Sequence, residues 1–374
     1  MKYLSFLAVL LIVGCASVSP IKKAITSDDV KLHSVFTDLP SHEVQILFSE
    51  VIRDKNGQIH FKDDQFQVDD ATYFYPASTV KLPIALLALE KLNQNPLADR
   101  NTAFHVENDS IVSTFAKDII AIFAASSNAA YNRLFEYFGQ DAINQLLKDK
   151  GINAQIYHRM SVPNSAELST KPLFFYKDNQ VIYKTESKTN RQIAPLPLHN
   201  LNKGVGYTIG DSLVNQPMDF STKNYLPITS LHGILKRLLF PEHFPKHQQF
   251  ALIEADRKFI VDAMAMLPKD AGYDPVEYTD TYVKYLMVGD SKSAIPEHLK
   301  IHNKIGSAYG YLTDSAYIIN KKTNQEFLIT ATIHVNKNKI YNDGVYEYDT
   351  VGIPFLAALG RKLILEHSKQ RLKK

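Results

Sequence analysis

The chain has 374 residues, of which 45% are hydrophobic and 22% charged, and its 42 basic and 39 acidic side chains leave a net charge of +3. This is a globular composition, and the length allows one large domain or two of moderate size. The near balance of charge, without a long basic run, argues against a nucleic-acid-binding protein. A single cysteine excludes a disulfide framework and any metal site built from several cysteines.

The N-terminal segment has the pattern of a secretion signal. Lys2 precedes an apolar run of about ten residues, which suits a signal peptide and is too short for a membrane-spanning helix. The only cysteine, Cys15, ends the sequence Ile-Val-Gly-Cys, which resembles the bacterial lipoprotein box. This resemblance implies cleavage after residue 14 and a lipid on Cys15. The protein would then be anchored to a membrane of the cell envelope, facing the periplasm or the exterior. An ordinary signal peptide is the alternative.

The next residues predict a tether, a helix and a hairpin. Residues 16–27 are mostly small or polar and predict a tether, and 28–39 predict a first helix. Two runs rich in Val, Ile and Phe, 43–53 and 58–68, flank an Asp-Lys-Asn-Gly turn and predict two paired strands.

The middle of the chain predicts helices followed by a long loop. Residues 76–93 are apolar on almost every face, which predicts a buried helix, and 108–150 predict two or three more. Prolines and asparagines over 157–224 predict an irregular insertion, with a small hairpin at 173–185.

The C-terminal part returns to regular patterns. Helical spacing occurs at 226–240, 257–267 and 352–366, and strand patterns occur at 308–319 and 326–335.

Strands near both ends with helices between them predict an α+β fold. We expect an antiparallel sheet of about five strands, flanked by helices as an α/β/α sandwich, with an all-helical lobe inserted. Residues 28–374 would form this single domain, with the sheet lobe at 28–75 and 241–374 and the helical lobe at 76–240.

Ser78 and Lys81 begin the buried helix and form a Ser-x-x-Lys pattern. Residues three apart on a helix share a face, so the Lys81 amine can reach the Ser78 hydroxyl. A partly desolvated lysine has a lowered pKa and can help to deprotonate a serine. The pattern alone is weak, because Ser19 and Lys22 repeat it in the predicted tether.

Two further patterns follow in the chain. Ser126 and Asn128 form a Ser-x-Asn 48 residues after Ser78, where a helix N-cap is the alternative reading. Lys304 and Gly306 form a Lys-x-Gly at the start of a predicted strand. Each is common by itself, as Lys-Asn-Gly at residues 55–57 illustrates in a turn.

The three patterns in this order resemble the active-site-serine superfamily of class A β-lactamases and penicillin-binding proteins. The sequences Ser-Ser-Asn-Ala-Ala-Tyr-Asn at 126–132 and Lys-Ile-Gly-Ser-Ala-Tyr-Gly at 304–310 extend the match. The predicted order of strands and helices agrees as well, over about residues 40–368.

The resemblance implies a catalytic role for four side chains. Ser78 would be the nucleophile that forms an acyl-enzyme, and Lys81 would help to activate it. Ser126 would relay a proton to the leaving nitrogen, assisted by Lys304.

It also implies a substrate-binding role for residues around them. The backbone N–H groups of Ser78 and Ser307 would form the oxyanion hole. Asn128 would hydrogen-bond the amide side chain of the substrate. Lys304, Gly306 and Ser307 would line the pocket for its carboxylate.

Three positions depart from the family pattern. Ser127 replaces an aspartate, and Ile305 replaces a threonine or serine, which removes a hydroxyl from the carboxylate pocket. The family glutamate that activates the hydrolytic water falls on Ser165 when the following residues are aligned. Glu167 is the only carboxylate in that stretch and is the candidate replacement base.

The resemblance implies a serine hydrolase that is acylated by a β-lactam or a related acyl-D-Ala amide and then hydrolysed by water. The open alternatives are a peptidoglycan D,D-peptidase or transpeptidase, and a sensor that binds penicillin without turnover. The 13 histidines form no His-Glu-x-x-His pattern and no glycine-rich phosphate loop is present, so we expect neither a metal nor a cofactor.

Overall fold

The computed structural model describes residues 19–371, and the side chains of residues 19–364. Cys15 and the signal segment lie outside this range. The helices are α1 (Pro20–Ile25), α2 (Val30–Phe36), α3 (Leu39–His42), α4 (Lys81–Leu92), α5 (Phe115–Ala124), α6 (Asn128–Glu136), α7 (Gln140–Asp149), α8 (Ile228–Leu239), α9 (Glu254–Ala265) and α10 (Ile353–Arg371). Within the described range, no helix is both long and apolar enough to cross a bilayer.

The strands are β1 (Gln45–Arg53), β2 (Ile59–Phe66), β3 (Ala103–Val106), β4 (Leu173–Lys177), β5 (Gln180–Lys184), β6 (Asn202–Lys203), β7 (Gly206–Ile209), β8 (Ser212–Val214), β9 (Met218–Asp219), β10 (Leu299–Ala308), β11 (Tyr311–Asn320), β12 (Gln325–His334) and β13 (Ile340–Tyr341).

The main sheet has five strands in the order β10-β11-β12-β1-β2, and all neighbouring strands are antiparallel. It joins the two ends of the chain, which confirms the predicted α+β architecture. Its buried side chains on one face pack with α2 and α10, and α8 packs on the other face. The sheet places β10 as a terminal strand, beside the helical region that carries the other predicted site residues.

Helix α4 runs through the largest hydrophobic core. Ten of its 12 residues are buried, in agreement with a pattern that has no polar face. Helices α5, α6 and α7 supply further apolar side chains to the same core. Helix α9, which we assigned to the sheet lobe, packs against both α5 and β10. The helical region therefore shares a core with one face of the sheet, and the other face packs in a separate cluster.

The expected tether is wrong for residues 20–25, which form α1. Ser19 caps this helix by accepting a hydrogen bond from the Lys22 backbone N–H at 3.0 Å, and Pro20 occupies its first turn. Ile21 and Ala24 are three residues apart and buried, and α1 packs against α10. The Ser19 to Lys22 pattern is therefore a helix start, with a proline where prolines are favoured.

The predicted insertion at 157–224 contains several short strands. Strands β4 and β5 form a hairpin where one was predicted, and β3 pairs with β4 to make a small sheet of three strands. Nothing in the polar sequence around β3 predicted that strand. The hairpin packs on the helical core through Leu173 and Phe175 and does not line the cleft described below.

Candidate active site

Ser78 lies in a short 3₁₀ turn, Ala77–Val80, that leads directly into α4. The Pro76 carbonyl accepts hydrogen bonds from the Thr79 hydroxyl at 2.7 Å and from its backbone N–H at 3.1 Å. Ala77 has a φ of 46°, a left-handed conformation that non-glycine residues rarely adopt. Ser78 is half-buried, while its neighbours in the turn are buried. The turn thus holds one accessible hydroxyl in a fixed place.

Lys81 follows one turn later, and its backbone N–H donates to the Ser78 carbonyl. Its side chain is fully buried, and its Nζ donates to the Ser126 carbonyl and to Asn128 Oδ1, the latter at 2.6 Å. Burial lowers the pKa of Lys81 to about 7 because a low-dielectric interior disfavours the charged form. A large fraction of Lys81 is therefore a neutral amine at physiological pH, able to accept a proton.

Ser126 stands between two buried lysines. Its Oγ accepts a hydrogen bond from Lys304 Nζ at 2.8 Å and lies 3.4 Å from Lys81 Nζ. Lys304 also donates to the Ile305 carbonyl at 2.8 Å. Burial lowers the pKa of Lys304 well below its usual value, and the nearby Lys81 lowers it further. The structure thus brings together Lys81, Ser126 and Lys304, which the sequence spreads over more than 200 positions.

Gly306 lets β10 approach the Ser78 turn. A Cβ at this position would lie 2.6 Å from the Pro76 carbonyl oxygen and 3.0 Å from the backbone nitrogens of Ser78 and Thr79. Contacts this short exclude any side chain, so only glycine fits. The next residue, Ser307, is exposed at the same place. Its backbone is thereby close to the Ser78 backbone, as an oxyanion hole requires.

Ser78 opens on two cavities. One has a volume of about 540 Å³ and is bounded by the loop that contains Ser161 and Ser165. The other has a volume of about 990 Å³ and is bounded by residues 279–292. Ser78, Asn128 and Ser307 line both cavities. Ser126 and Ile305 line only the larger one.

The positions that depart from the family pattern have structural explanations. Ser127 caps α6 by accepting a hydrogen bond from the Ala130 backbone N–H at 3.2 Å. Ile305 is buried at the edge of the larger cavity, so that wall has no hydroxyl at this point. Asn128 donates from Nδ2 to Ser161 Oγ at 2.8 Å, which links the start of α6 to the loop.

The loop at 159–170 is held by a buried ion pair that the sequence did not reveal. Arg159 Nη2 donates to Glu136 Oε2 at 2.9 Å, and both side chains are more than 90% buried. The same guanidinium donates to the carbonyls of Glu167 and Ser169, each at 2.8 Å. The amide of Asn132 adds two hydrogen bonds to the Met160 backbone. The loop therefore has a defined shape beside Ser78.

The structure does not bring Glu167 into the site. Its side chain is exposed and accepts a hydrogen bond from Asn164 Nδ2 at 2.6 Å. Ser165 lines the smaller cavity, whereas Glu167 does not. Among the residues in the described range, none that lines this cavity carries a carboxylate. The proposal of Glu167 as a water-activating base therefore has no support in the geometry.

A second polar network lies behind β10. Asp314 is buried, and it accepts hydrogen bonds from Asn303 Nδ2 at 2.8 Å and from the backbone N–H groups of Tyr285 and Leu286. Lys284 Nζ donates to Asn303 Oδ1 at 2.6 Å. Burial raises the pKa of Asp314 and lowers that of Lys284. The network fixes the wall of the larger cavity to the strand that carries Lys304.

Among the side chains described, those of residues 19–364, no group of three or more from His, Cys, Asp or Glu is placed to hold a metal ion.

Comparison with known proteins identifies a related family and a related fold. Residues 43–194 match the model of the β-lactamase enzyme family. No curated protein matches the chain. The solved structure of L2 complexed with relebactam has a TM-score of 0.50 and 14% sequence identity, and the match covers 95% of this chain and 99% of that one. At this identity the likeness shows the fold alone.

Two other β-lactamase structures match with slightly lower TM-scores. One, from Xanthomonas campestris pv. campestris, has a TM-score of 0.49 and 14% identity, with 86% of this chain and 91% of that chain covered. The other, from Desulfarculus baarsii, has a TM-score of 0.49 and 15% identity, and the match covers 92% of this chain and 98% of that chain.

Proposed function

We propose that the chain is an active-site-serine acyl hydrolase of the serine β-lactamase and penicillin-binding superfamily, a proposal supported by the match of residues 43–194 to the β-lactamase enzyme family. Ser78 would be acylated by a β-lactam or a related acyl-D-Ala amide, and water would then release the acyl group. The observation that carries this proposal is the buried Lys81–Ser126–Lys304 chain beside the accessible Ser78 hydroxyl. A structural serine would not need two desolvated lysines next to it.

The proposed acylation step assigns a role to each of these groups. The neutral amine of Lys81 accepts the Ser78 proton as the oxygen attacks the substrate carbonyl. The backbone N–H groups of Ser78 and Ser307 stabilise the resulting oxyanion. Ser126 donates its proton to the departing nitrogen, and the adjacent Lys304 stabilises the charge that develops on the Ser126 oxygen.

The deacylation step has weaker support. Hydrolysis of the acyl-enzyme requires a base that activates water, and the smaller cavity offers no carboxylate from the described residues. This observation favours the second candidate function, in which Ser78 is acylated and released slowly. A D,D-peptidase or transpeptidase acting on peptidoglycan, or a sensor that stays acylated, would work in this way.

Mass spectrometry of the intact protein mixed with penicillin tests the proposal. A covalent adduct on the parent chain that is absent from Ser78→Ala would support it, and equal labelling of both proteins would reject it. The lifetime of the adduct separates the two candidates. An adduct that disappears within seconds supports a β-lactamase, and one that persists for many minutes supports a peptidase or a sensor.

We also propose that a lipid on Cys15 anchors the protein to a membrane of the cell envelope, as the N-terminal pattern predicts. Metabolic labelling with a fatty-acid analogue tests this. Labelling should be lost in Cys15→Ser and retained in Ser19→Ala, a nearby substitution outside the predicted lipoprotein box. Unchanged labelling in Cys15→Ser would contradict the proposal.

A further inference from the structure

The two cavities at Ser78 would hold the two parts of the substrate that lie on either side of the cleaved bond. Ser126 gives the leaving nitrogen its proton in the proposed reaction, and Ser126 lines only the larger cavity. The larger cavity therefore receives the amine side of the substrate. The smaller cavity, bounded by the loop at 159–170, receives the acyl side.

The wall of the amine-side cavity has the groups that bind a peptide. Tyr282 is 46% exposed, and Thr281 lies next to it. Lys292 is exposed on the same wall and forms no ion pair with any of the side chains described for residues 19–364. Asp349 offers the opposite charge. The exposed aromatic ring and the exposed ammonium group of Lys292 suit a peptide that has an apolar surface and a terminal carboxylate.

The neighbouring acidic group does not compete for Lys292. Asp290 accepts hydrogen bonds from Lys31 at 2.8 Å and from Arg361 at 2.8 and 2.7 Å. These two cations hold the pKa of Asp290 down to about 2. Lys292 is thus available to an anionic group of a ligand.

The wall is held in place before any ligand binds. The Asp314 carboxylate accepts from the backbone N–H groups of Tyr285 and Leu286 at 3.1 and 2.9 Å, and Lys284 is tied to Asn303. A preorganised wall avoids the entropic cost of ordering a loop on binding.

The size of this cavity exceeds what a single residue needs. Its volume of about 990 Å³ is at the upper end of the range for drug-sized ligands. We propose, on the basis of the function proposed above, that the substrate is a linear acyl peptide whose amine side extends at least two residues beyond the cleaved amide. Tyr282 packs on this extension, and Lys292 binds its terminal carboxylate.

The proposed reaction transfers the acyl group of the peptide to Ser78. The bond from the acyl carbon to nitrogen breaks, and a bond from the same carbon to the Ser78 oxygen forms. The serine proton is taken by Lys81, Ser126 gives its own proton to the amine of the leaving peptide, and Lys81 returns a proton to Ser126 across their 3.4 Å contact. Water later cleaves the ester and restores the Ser78 hydroxyl.

Two peptides with the same acyl group test the inference: acyl-D-Ala-D-Ala and acyl-D-Ala-D-Ala-Gly-Gly. Both form the same acyl-enzyme, so any difference lies in acylation and their deacylation rates must agree. We expect kcat/KM for acylation to be about tenfold higher for the longer peptide, the effect of one or two added contacts. This ratio should fall in Tyr282→Ala and in Lys292→Ala, and it should reach about one in the variant that carries both substitutions. It should persist in Val276→Ala, a substitution in the same segment at a side chain that is 88% exposed.

A ratio near one in the parent chain would overturn the inference, as would a ratio that survives both substitutions. If penicillin acylates Ser78 but neither peptide does, the amine-side assignment is wrong while the serine hydrolase remains. If penicillin and both peptides all fail to modify Ser78, the proposed function itself is rejected, and this inference with it.

Discussion

Lys304 donates a hydrogen bond from Nζ to the Oγ of Ser126 at 2.8 Å, and Lys81 Nζ lies 3.4 Å from the same oxygen. Two ammonium groups this close repel each other, and both are removed from water. The pair is therefore expected to hold fewer than two protons near neutral pH. One lysine can then act as a base while the other supports a proton donor, so a single cluster supplies both halves of an acid–base reaction.

The rate of acylation should depend on the protonation of Lys81. Its pKa of about 7 means that the neutral, proton-accepting form increases as pH rises through 7. We expect the second-order rate constant for acylation by a penicillin to rise between pH 5.5 and 8, with a midpoint near 7. Stopped-flow measurements over this range provide the test.

Lys81→Ala serves as the control for that profile. It should slow acylation by about 10²–10⁴-fold, the usual contribution of general-base assistance, and should remove the inflection near pH 7. A parent profile that is flat over this range would assign the base to another group.

Gly306→Ala should separate the Ser78 turn from β10. The new Cβ would meet the Pro76 carbonyl oxygen at 2.6 Å, so the strand or the turn must shift. A displacement of this kind is expected to reduce acylation by about 10²-fold. Lys300→Ala, at the other end of the same strand, should retain the parent rate. Adduct formation by mass spectrometry and the circular dichroism of each variant distinguish a displaced site from an unfolded chain.

Glu167→Gln should leave the kinetics unchanged. The Glu167 side chain is exposed, is bound to Asn164 and does not line the cleft. We expect both proteins to release one fast equivalent of product from a reactive β-lactam, followed by slow turnover. Pre-steady-state measurements compare them directly. If the parent shows no burst and the variant accumulates acyl-enzyme, Glu167 is the base and the chain is a true β-lactamase.

Lys81→Met should stabilise the fold while it removes activity. Below pH 7 the folded and unfolded chains both carry the Lys81 proton, so the full cost of a buried ammonium destabilises the parent. Between pH 7 and 10.5 the folded chain has released this proton, and the cost decreases as pH rises. The variant should gain about 1–2 kcal/mol in free energy of unfolding at pH 6, and less at pH 9. Urea denaturation at both pH values measures the difference, and a gain that is larger at pH 9 would contradict the assigned pKa.

The sequence predicted the parts of the site that depend on local spacing. The three-residue step from Ser78 to Lys81 placed them on one turn, and the strand patterns at both ends predicted the sheet. It could not predict contacts that only the folded chain creates. The pairing of Glu136 with Arg159 and the network around Asp314 join segments that carry no shared motif.

Helix α1 was not predicted from the sequence, for a different reason. Ser19 and Pro20 are standard signals for the start of a helix, but the six residues of α1 are too short for a clear apolar period. Its stability comes from packing Ile21 and Ala24 in the core that α10 also contributes to. Packing against α10 in the folded chain, together with the Ser19 cap, stabilises that segment as a helix.

The packing of the Ser78 turn on β10 also affects the solubility of the protein. The main sheet is open, so its terminal strands β10 and β2 present edges that could pair with another molecule. Strand β2 carries Lys62, Asp63 and Asp64, whose charges discourage such pairing. Strand β10 has the Ser78 turn packed on its face at Gly306, in the direction in which a Cβ would point. Substitutions that loosen this turn should therefore expose the buried Ala77 and Val80 side chains as well as reduce acylation, so the solubility of the protein and the position of the nucleophile depend on the same contact.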